Sequence, residues 1–277
     1  MATHQITPDL LTLERVDEIL HKGMKLELSQ ESKARIVKCR EYLDNKMTTQ
    51  KEPIYGVTTG FGSLCNISIS KEQLSQLQKN LVMSHACGVG EQVPHEIVKI
   101  MLLNKIQSLS YGNSGVQLQT VERLIEFFNN DIYPVVYQQG SLGASGDLAP
   151  LAHLCLPLLG LGVVDYKGER ISGKELNEKF SWQPIELQSK EGLALLNGTQ
   201  FMSSFAVWCV IKAKKLSALA DQIMAVSLEA FDGRIEPFLD PVHQVRPHKG
   251  QIETARHIRE LLEGSQIIKQ HKQHVQD

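Results

Sequence analysis

The sequence predicts a mainly α protein, built as a bundle of long helices with ordered loops and one short β-hairpin. Apolar residues recur at helical spacing through most of the 277 residues, as they do in residues 94–110. Glycine-rich loops separate these segments, and residues 163–172 have a pattern typical of a hairpin that turns at Lys167-Gly168. We therefore expect a single domain, 1–277, whose loops gather at one end of the helices.

The first two helices are predicted from their N-terminal caps and from a break between them. Either Thr7 or Thr12 can cap the first helix, because a threonine hydroxyl accepts a hydrogen bond from the first turn. Gly23 interrupts the apolar periodicity. Ser29 then caps a second helix, which is expected to run to about residue 43.

The later helices are predicted from capping boxes and apolar stripes. Ser70 and Gln73 form a box of the S-x-x-Q type, and Ser172 and Glu175 form the S-x-x-E version before a short helix. Residues 191–230 are the longest apolar periodic segment, which favours a helix at the centre of a bundle or at a subunit interface. Apart from the short helix, the segments expected to be helical are about 70–86, 94–110, 116–128, 151–161, 191–230 and 252–264.

Composition and charge argue against several classes of protein. A net charge of −2 with 22% charged residues gives no electrostatic footprint for nucleic acid. Five scattered cysteines without a C-x-x-C pair argue against a disulfide framework or a zinc site, and they favour a reducing, cytoplasmic compartment. The N-terminus has no secretory signal pattern. Residues 192–211 are uncharged but contain several polar groups, so we expect a buried core helix and no membrane partner.

The most informative segment is G-S-L-G-A-S-G-D-L-A-P at 140–150. Three glycines in seven residues predict a tight, preformed loop, because glycine adopts backbone conformations that other residues avoid. The spacing G-x-x-G-x-x-G fits neither the dinucleotide fingerprint nor a P-loop, and Ser145 does not lie in a G-x-S-x-G elbow. Such a loop can bind an anion through its backbone N–H groups, or it can simply turn the chain.

The centre of this loop, Ala144-Ser145-Gly146, also has the chemistry for a backbone self-condensation. The unhindered amide nitrogen of Gly146 can attack the carbonyl of Ala144, and the β-hydroxyl of Ser145 can leave as water. The product would be a methylidene-imidazolone ring, an electrophile that none of the twenty side chains supplies.

Three other candidate residues each have a structural explanation as well. Tyr55 lies in a glycine-rich apolar segment, 53–65, where a packed aromatic side chain is the ordinary interpretation. His85 lies in the last turn of a predicted helix, where it can cap carbonyl groups. Asn197 precedes Gly198, and turn chemistry alone accounts for that pair.

Taken together, five segments resemble the aromatic amino acid ammonia-lyase family. They occur in the family's order, cover nearly the whole chain, and read Y-G-V-T-T-G-F-G at 55–62, L-V-M-S-H-A at 81–86, the 140–150 loop, L-L-N-G-T-Q at 195–200 and R-P-H-K-G-Q at 246–251. The resemblance implies that Ala144-Ser145-Gly146 condenses autocatalytically to 4-methylidene-imidazol-5-one. It also implies that no metal or nucleotide is needed as a cofactor.

The resemblance assigns roles to five further residues. Tyr55 is similar to the base that removes the β-proton, which requires its surroundings to lower its pKa. Asn197 matches the asparagine that orients the prosthetic group and the substrate. His85 matches the position that selects the substrate ring, and the Ser84-His85 pair is the histidine-type version of it. Gln276 matches a position in the substrate-binding site.

The implied activity is the elimination of ammonia from L-histidine to give trans-urocanate in histidine degradation, by a cytoplasmic homotetramer with active sites shared between subunits. The alternatives are another aromatic amino acid lyase, an aminomutase of the same family, or an inactive or non-catalytic fragment of the fold. The family continues beyond a Gln-Asp pair with Tyr-Ser-x-Arg and a second helical half, whereas Gln276-Asp277 end this sequence. We expect that C-terminal half, with a further tyrosine and a carboxylate-binding arginine, to be absent from the chain.

Overall fold

The computed structural model describes residues 2–49, 52–59, 73–144 and 146–275. It is 57% helical, and its strands are few and short, which confirms the predicted mainly α fold. The chain divides into two compact units, Met1–Trp208 and Cys209–Asp277.

The first unit contains eight helices in its described residues and the start of a ninth. They are α1 (Leu13–His21), α2 (Gln30–Thr49), α3 (Leu74–His85), α4 (His95–Ser110), α5 (Leu118–Asn129), α6 (Leu148–Cys155), α7 (Gly173–Phe180), α8 (Glu191–Leu196) and α9 (Gln200–Ala230), which continues into the second unit. A 3₁₀ turn, Leu156–Leu159, extends α6. The second unit adds α10 (Asp240–Gln244) and α11 (Lys249–Leu261).

Helix beginnings agree with the caps that the sequence indicates. The hydroxyl of Thr12, not that of Thr7, accepts a hydrogen bond from the backbone of Arg15 and begins α1. Ser29 Oγ accepts a bond from Ser32 N (3.1 Å) in the first turn of α2. The capping box before α7 is confirmed, while the box at 70–73 lies mostly outside the described residues.

The predicted hairpin is confirmed as β6 (Val163–Tyr166) and β7 (Glu169–Ser172), which pair antiparallel. The sequence did not predict the other strands. They are β1 (Thr3–Ile6) parallel to β2 (Lys25–Leu28), β3 (Val89–Gln92) antiparallel to β5 (Tyr137–Gln139), and β4 (Tyr133–Pro134), which pairs with β6. Strands of two to four residues are too short for an alternating pattern to stand out, so their partners elsewhere in the chain define them.

Helix α4 forms the centre of the first unit. Eleven of its sixteen residues are buried, and its neighbour α5 contributes the fully buried Phe127 and Val121. A helix that is apolar on nearly every side can satisfy those sides only inside a core.

The long apolar segment differs from the prediction in two respects. Residues 197–199 interrupt it, so α8 ends at Leu196 and α9 begins at Gln200. The helix expected to be buried at 192–211 is buried only in part, because Met202 and Val210 are exposed, and further along α9 Leu216 and Val226 are exposed as well. Among the described residues, 191–230 is the one segment long and apolar enough to cross a membrane, a criterion of length and composition that core helices of globular proteins also meet.

The second unit has a small core of its own. Ala225 and Leu228 of α9 pack with Ile258 and Leu262 from the α11 region. His257 Nδ1 of α11 donates a hydrogen bond to Asp221 Oδ2 of α9 (2.7 Å) and joins the same two helices. The C-terminal part of α9 is thus held to α11, while other apolar residues of the helix, such as Leu216 and Ile223, are exposed.

Candidate active site

The glycine-rich loop has the tight backbone that the sequence predicts. Gly140, Gly143 and Gly146 all have positive φ, at 127°, 77° and 126°. A Cβ on Gly146 would lie 2.9 Å from the nitrogen and 3.0 Å from the oxygen of Gly198. A Cβ on Gly140 would lie 3.1 Å from the Cα of Gly88. The loop therefore packs directly against the break between α8 and α9 and against the residues that follow α3.

Asp147 fixes the C-terminal side of the loop. This residue is only 1% exposed, and its backbone N–H donates to Gly198 O (2.8 Å). Its carboxylate accepts hydrogen bonds from Ser141 Oγ (3.1 Å) and from the backbone N–H of Met202 (3.0 Å) in the first turn of α9. A carboxylate at a helix N-terminus is favoured by the unpaired N–H groups there. The resemblance gives no role to Asp147, although a lone acid among glycines and leucines is a sequence signal for such a residue.

A buried lysine lies behind the loop. The Nζ atom of Lys105, on α4, donates to Ala194 O (3.3 Å) near the end of α8. Burial lowers the pKa of Lys105 to about 8, against the opposing attraction of Cys155 and Asp147. Burial raises the pKa of the Cys155 thiol to about 12. Sequence reasoning missed this pair, although a lysine within the most apolar part of α4 is unusual.

Asn197 lies beside the loop. It follows α8 with an extended backbone (φ −79°, ψ 122°), and its N–H donates to Leu193 O (2.9 Å). The Cβ position of Gly146 is 3.6 Å from the Cα of Asn197. The side chain of Asn197 is exposed. The interruption of the long helix therefore places this asparagine next to Gly146, as a site assembled around the loop requires.

Ser84 and His85 lie in the last turn of α3. His85 Nδ1 is 2.7 Å from Leu81 O, and Ser84 Oγ donates to the same carbonyl at 3.2 Å. Because a carbonyl only accepts, Nδ1 of His85 is the donor, and Nε2 is the acceptor in the neutral ring. The carbonyl-capping role that the sequence allowed for His85 is thus present, and it also orients the imidazole.

Tyr55 lies in a short turn that packs on α2 and α3. Ile54 N donates to Thr58 Oγ1 (2.8 Å) within the turn. Ile54 and Val57 join an apolar cluster with residues of the two helices. This packing leaves Tyr55 itself 54% exposed. Tyr55 is thus held by a structured turn that packs on the helix carrying His85.

The described contacts bring some of the predicted site residues together. Gly146 and Asn197 are adjacent, and the contact of Gly140 with Gly88 links the loop to the segment just after His85. Ala144 is exposed in a bend of the loop. The contacts described for the Tyr55 turn run to α2 and α3. The predicted residues Ser145 and Gln276 lie outside the described residues.

Comparison with known proteins gives consistent results. The sequence profile of the family described as aromatic amino acid lyase matches residues 11–277. Histidine ammonia-lyase of Caldanaerobacter subterraneus subsp. tengcongensis is 47% identical over 268 residues, which is 96% of this chain and 53% of that protein. The structure of a tyrosine aminomutase from Streptomyces globisporus has a TM-score of 0.88 at 34% identity, covering 95% of this chain and 49% of that one. Histidine ammonia-lyase from Trypanosoma cruzi has a TM-score of 0.84 at 35% identity, covering 94% and 50%.

The chain spans about half the length of the curated relatives it matches. Nearly all of this chain is covered by the match, and the family profile includes all five segments on which the predicted resemblance was based. The prediction of the family is therefore confirmed. The chain belongs to the aromatic amino acid lyase family.

Proposed function

We propose that this chain provides the ring-forming part of a histidine ammonia-lyase, which converts L-histidine to trans-urocanate and ammonia. The observation that carries the proposal is the packing of Gly146 against Asn197-Gly198, with the histidine-type pair Ser84-His85 at the end of α3. Relatives 44–47% identical to this chain are named histidine ammonia-lyases, which supports the choice of substrate.

The residues of the loop fit the 4-methylidene-imidazol-5-one group. Ring closure joins the nitrogen of Gly146 to the carbonyl carbon of Ala144 and needs a residue without a side chain at 146. The backbone of Gly198 occupies the place where a Cβ on Gly146 would lie. The hydrogen bonds of Asp147 with Gly198 and Met202 would hold the chain that follows the group. When formed, the group supplies the electrophile that a poor leaving group such as ammonia requires.

The other site residues would bind the substrate and move its proton. Tyr55 is proposed as the base that takes the β-proton of L-histidine. His85, with Nδ1–H donated to Leu81, presents Nε2 as an acceptor for an N–H of the substrate imidazole. Asn197 would hold the substrate through its carboxamide, and Ser84 and Gln276 would complete the binding site.

We also propose that the complete enzyme is a cytoplasmic homotetramer. Leu216, Leu219, Ile223 and Val226 of α9 are exposed apolar residues, and such residues are typical of a surface that another subunit covers. Four cysteines among the described residues are free thiols, which suits a reducing compartment.

An aminomutase is the second candidate, because the chain is also similar to the structure of a tyrosine aminomutase. An aminomutase would add ammonia back at the β-carbon. Product analysis with isotopically labelled substrate separates the two activities, because a lyase releases labelled ammonia and leaves no β-amino acid. The Ser84-His85 pair favours the lyase.

Intact-mass spectrometry tests ring formation directly. We expect the purified protein to weigh two water molecules less than its sequence, and Ser145→Ala to restore the full mass. Ser203→Ala, in the first turn of α9, is the matched control and should keep the mass loss.

Urocanate absorbs in the near ultraviolet, so its release from L-histidine is the test of activity. The assay needs a subunit of the relatives' length that contains this chain. A protein with an unmodified mass and no urocanate release would contradict the proposal and support a non-catalytic member of the fold.

A further inference from the structure

A histidine that the predicted site does not include lies between two of its segments. The Nε2 atom of His153, on α6, is 2.9 Å from the backbone nitrogen of Gly88. Since a backbone N–H only donates, Nε2 must accept, and the proton of the neutral imidazole is on Nδ1. Helix α6 continues directly from the Ala144–Gly146 loop, and Gly88 follows the last residue of α3, His85, by one short turn.

The packing around this hydrogen bond leaves little room for movement. A Cβ on Gly88 would lie 3.0 Å from Cδ2 of His153 and 3.2 Å from the Cβ of Tyr137. The ring of Tyr137 meets the imidazole edge-on, with centroids 5.1 Å apart and an angle of 76°. Val89, which follows Gly88, pairs with Gln139 of β5, the strand that also carries Tyr137. The imidazole therefore has one well-defined place between α6 and the end of α3.

We propose that His153 is a positioning residue for the substrate-binding pair Ser84-His85. Its hydrogen bond to Gly88 ties the end of α3 to the helix that begins at the ring-forming loop. The proposal rests on the proposed function, in which Ser84-His85 binds the substrate ring and the loop carries the reactive group. The neutral imidazole is then one of the contacts that set the distance between those two groups, beside the approach of Gly140 to Gly88 and the pairing of Val89 with Gln139.

The same bond makes the arrangement sensitive to acid. Protonation of His153 would place an N–H against the N–H of Gly88, so the bond would be lost. Burial lowers the pKa of His153 below its usual value of about 6.5. Tyr137 on β5 is the titratable group whose ring packs against His153, and burial is the cause of the lowered pKa. Stability from this bond is therefore complete above about pH 6.5 and declines as the pH falls through the lowered pKa.

Two variants of His153 distinguish the effect of its hydrogen bond from the effect of its protonation. His153→Gln keeps an acceptor near the position of Nε2 but cannot be protonated in this range, and His153→Leu removes the acceptor. We expect the NMR signal of the Gly88 amide to titrate below pH 6.5 in the unchanged chain and to be flat in His153→Gln. In His153→Leu the signals of Ser84 and His85 should shift. His271→Gln, at an exposed histidine, should alter none of these signals.

Kinetics in a subunit of the relatives' length provide the functional measurement. The loss of one hydrogen bond predicts that KM for L-histidine rises roughly tenfold in His153→Leu with kcat within about twofold, while His153→Gln keeps KM and loses its rise at acid pH. Unchanged Ser84 and His85 signals in His153→Leu, or a Gly88 amide that titrates equally in His153→Gln, would overturn the proposal. If the unchanged subunit releases no urocanate, the proposed function fails, and those NMR signals alone decide whether His153 positions the pair.

Discussion

The two sides of the ring-forming loop contrast sharply in their exposure to water. Behind it lie Lys105, Asp147 and Cys155, all buried, which we call the floor of the site. Of the residues proposed to meet the substrate, Tyr55, Ser84 and Asn197 are exposed, and we call these three its face. The difference indicates that the floor determines whether the loop has its shape, while the face determines what the shaped loop can do.

The floor shows burial acting on groups of opposite charge type. Lys105 would be positive when charged and Cys155 negative, yet burial favours the neutral form of both. The pKa of the amine therefore falls to about 8 and that of the thiol rises to about 12. Perturbed groups are often taken as markers of catalysis, but here these two perturbed groups lie behind the loop and point to structure. Stability measurements can therefore test the floor independently of activity.

Replacing Asp147 should have the largest effect on stability. Asp147→Ala removes the acceptor for Ser141 and Met202 and leaves Lys105 without a nearby anion, so we expect a loss of about 4 kcal/mol in the free energy of unfolding. Urea denaturation at neutral pH measures it. Asp9→Asn, at an exposed aspartate, is the control and should cost less than about 0.5 kcal/mol. Similar small losses for both would show that the floor does not hold the loop.

The buried lysine should produce a difference that depends on pH. Its pKa falls from 10.5 in the unfolded chain to about 8 in the fold, so the unfolded chain binds the extra proton between these values. Stability of the unchanged chain relative to Lys105→Met should therefore rise by about 3 kcal/mol as the pH increases from 8 to 10.5. Urea denaturation of both proteins at several pH values in this range measures the difference. If their free energies of unfolding changed equally with pH, the lowered pKa of Lys105 would be refuted.

Breaking the contact between Gly146 and Gly198 should lower the free energy of unfolding by less than replacing Asp147 does. Gly146→Ala combines a positive φ with a Cβ 2.9 Å from a backbone nitrogen, which predicts a loss of about 2 kcal/mol. Gly168→Ala is the matched control, because Gly168 also has positive φ but a Cβ placed there would have no atom within 4 Å. It should cost about 1 kcal/mol. Thermal unfolding of both variants measures how much the contact with Gly198 adds to the effect of the positive φ. Equal losses of stability would show that backbone strain alone is the cause.

The face should give the smallest change in stability. Tyr55→Phe and Ser84→Ala each remove one hydroxyl group from an exposed residue, so we expect less than about 0.5 kcal/mol from either. Under the proposed function, Tyr55→Phe should nevertheless lower kcat by about a hundredfold in a subunit of the relatives' length. Urea denaturation and the urocanate assay on the same preparation compare the two effects. A large loss of stability in Tyr55→Phe would show that Tyr55 has a structural role, like the residues of the floor.

Features determined by neighbouring residues could be predicted from the sequence. The apolar stripe of α4, the capping box at Ser172 and the turn at Lys167-Gly168 depend on residues a few positions apart, and all three are observed. The glycines of the loop predicted an unusual backbone for the same reason.

Features that depend on distant residues could not be predicted in the same way. The parallel pairing of β1 with β2 joins strands that α1 separates in sequence. The contact of Gly146 with Gly198 crosses some fifty residues, and the surroundings of Lys105 include Cys155 of α6 and Ala194 of α8. Apolar composition predicted that α9 lies in a bundle core or at a subunit interface, and composition alone does not reveal which partner covers each of its faces.

The close approach of Gly146 and Gly198 bears on any attempt to transfer this loop into another protein. A graft of residues 140–150 alone would lack the bare backbone on which Gly146 rests and the helix start that binds Asp147. The smallest portable unit therefore has two parts, residues 140–150 and 195–202, held at the spacing seen here. A recipient scaffold would need a helix that is interrupted at a glycine, because a continuous helix has no free backbone against which Gly146 could pack.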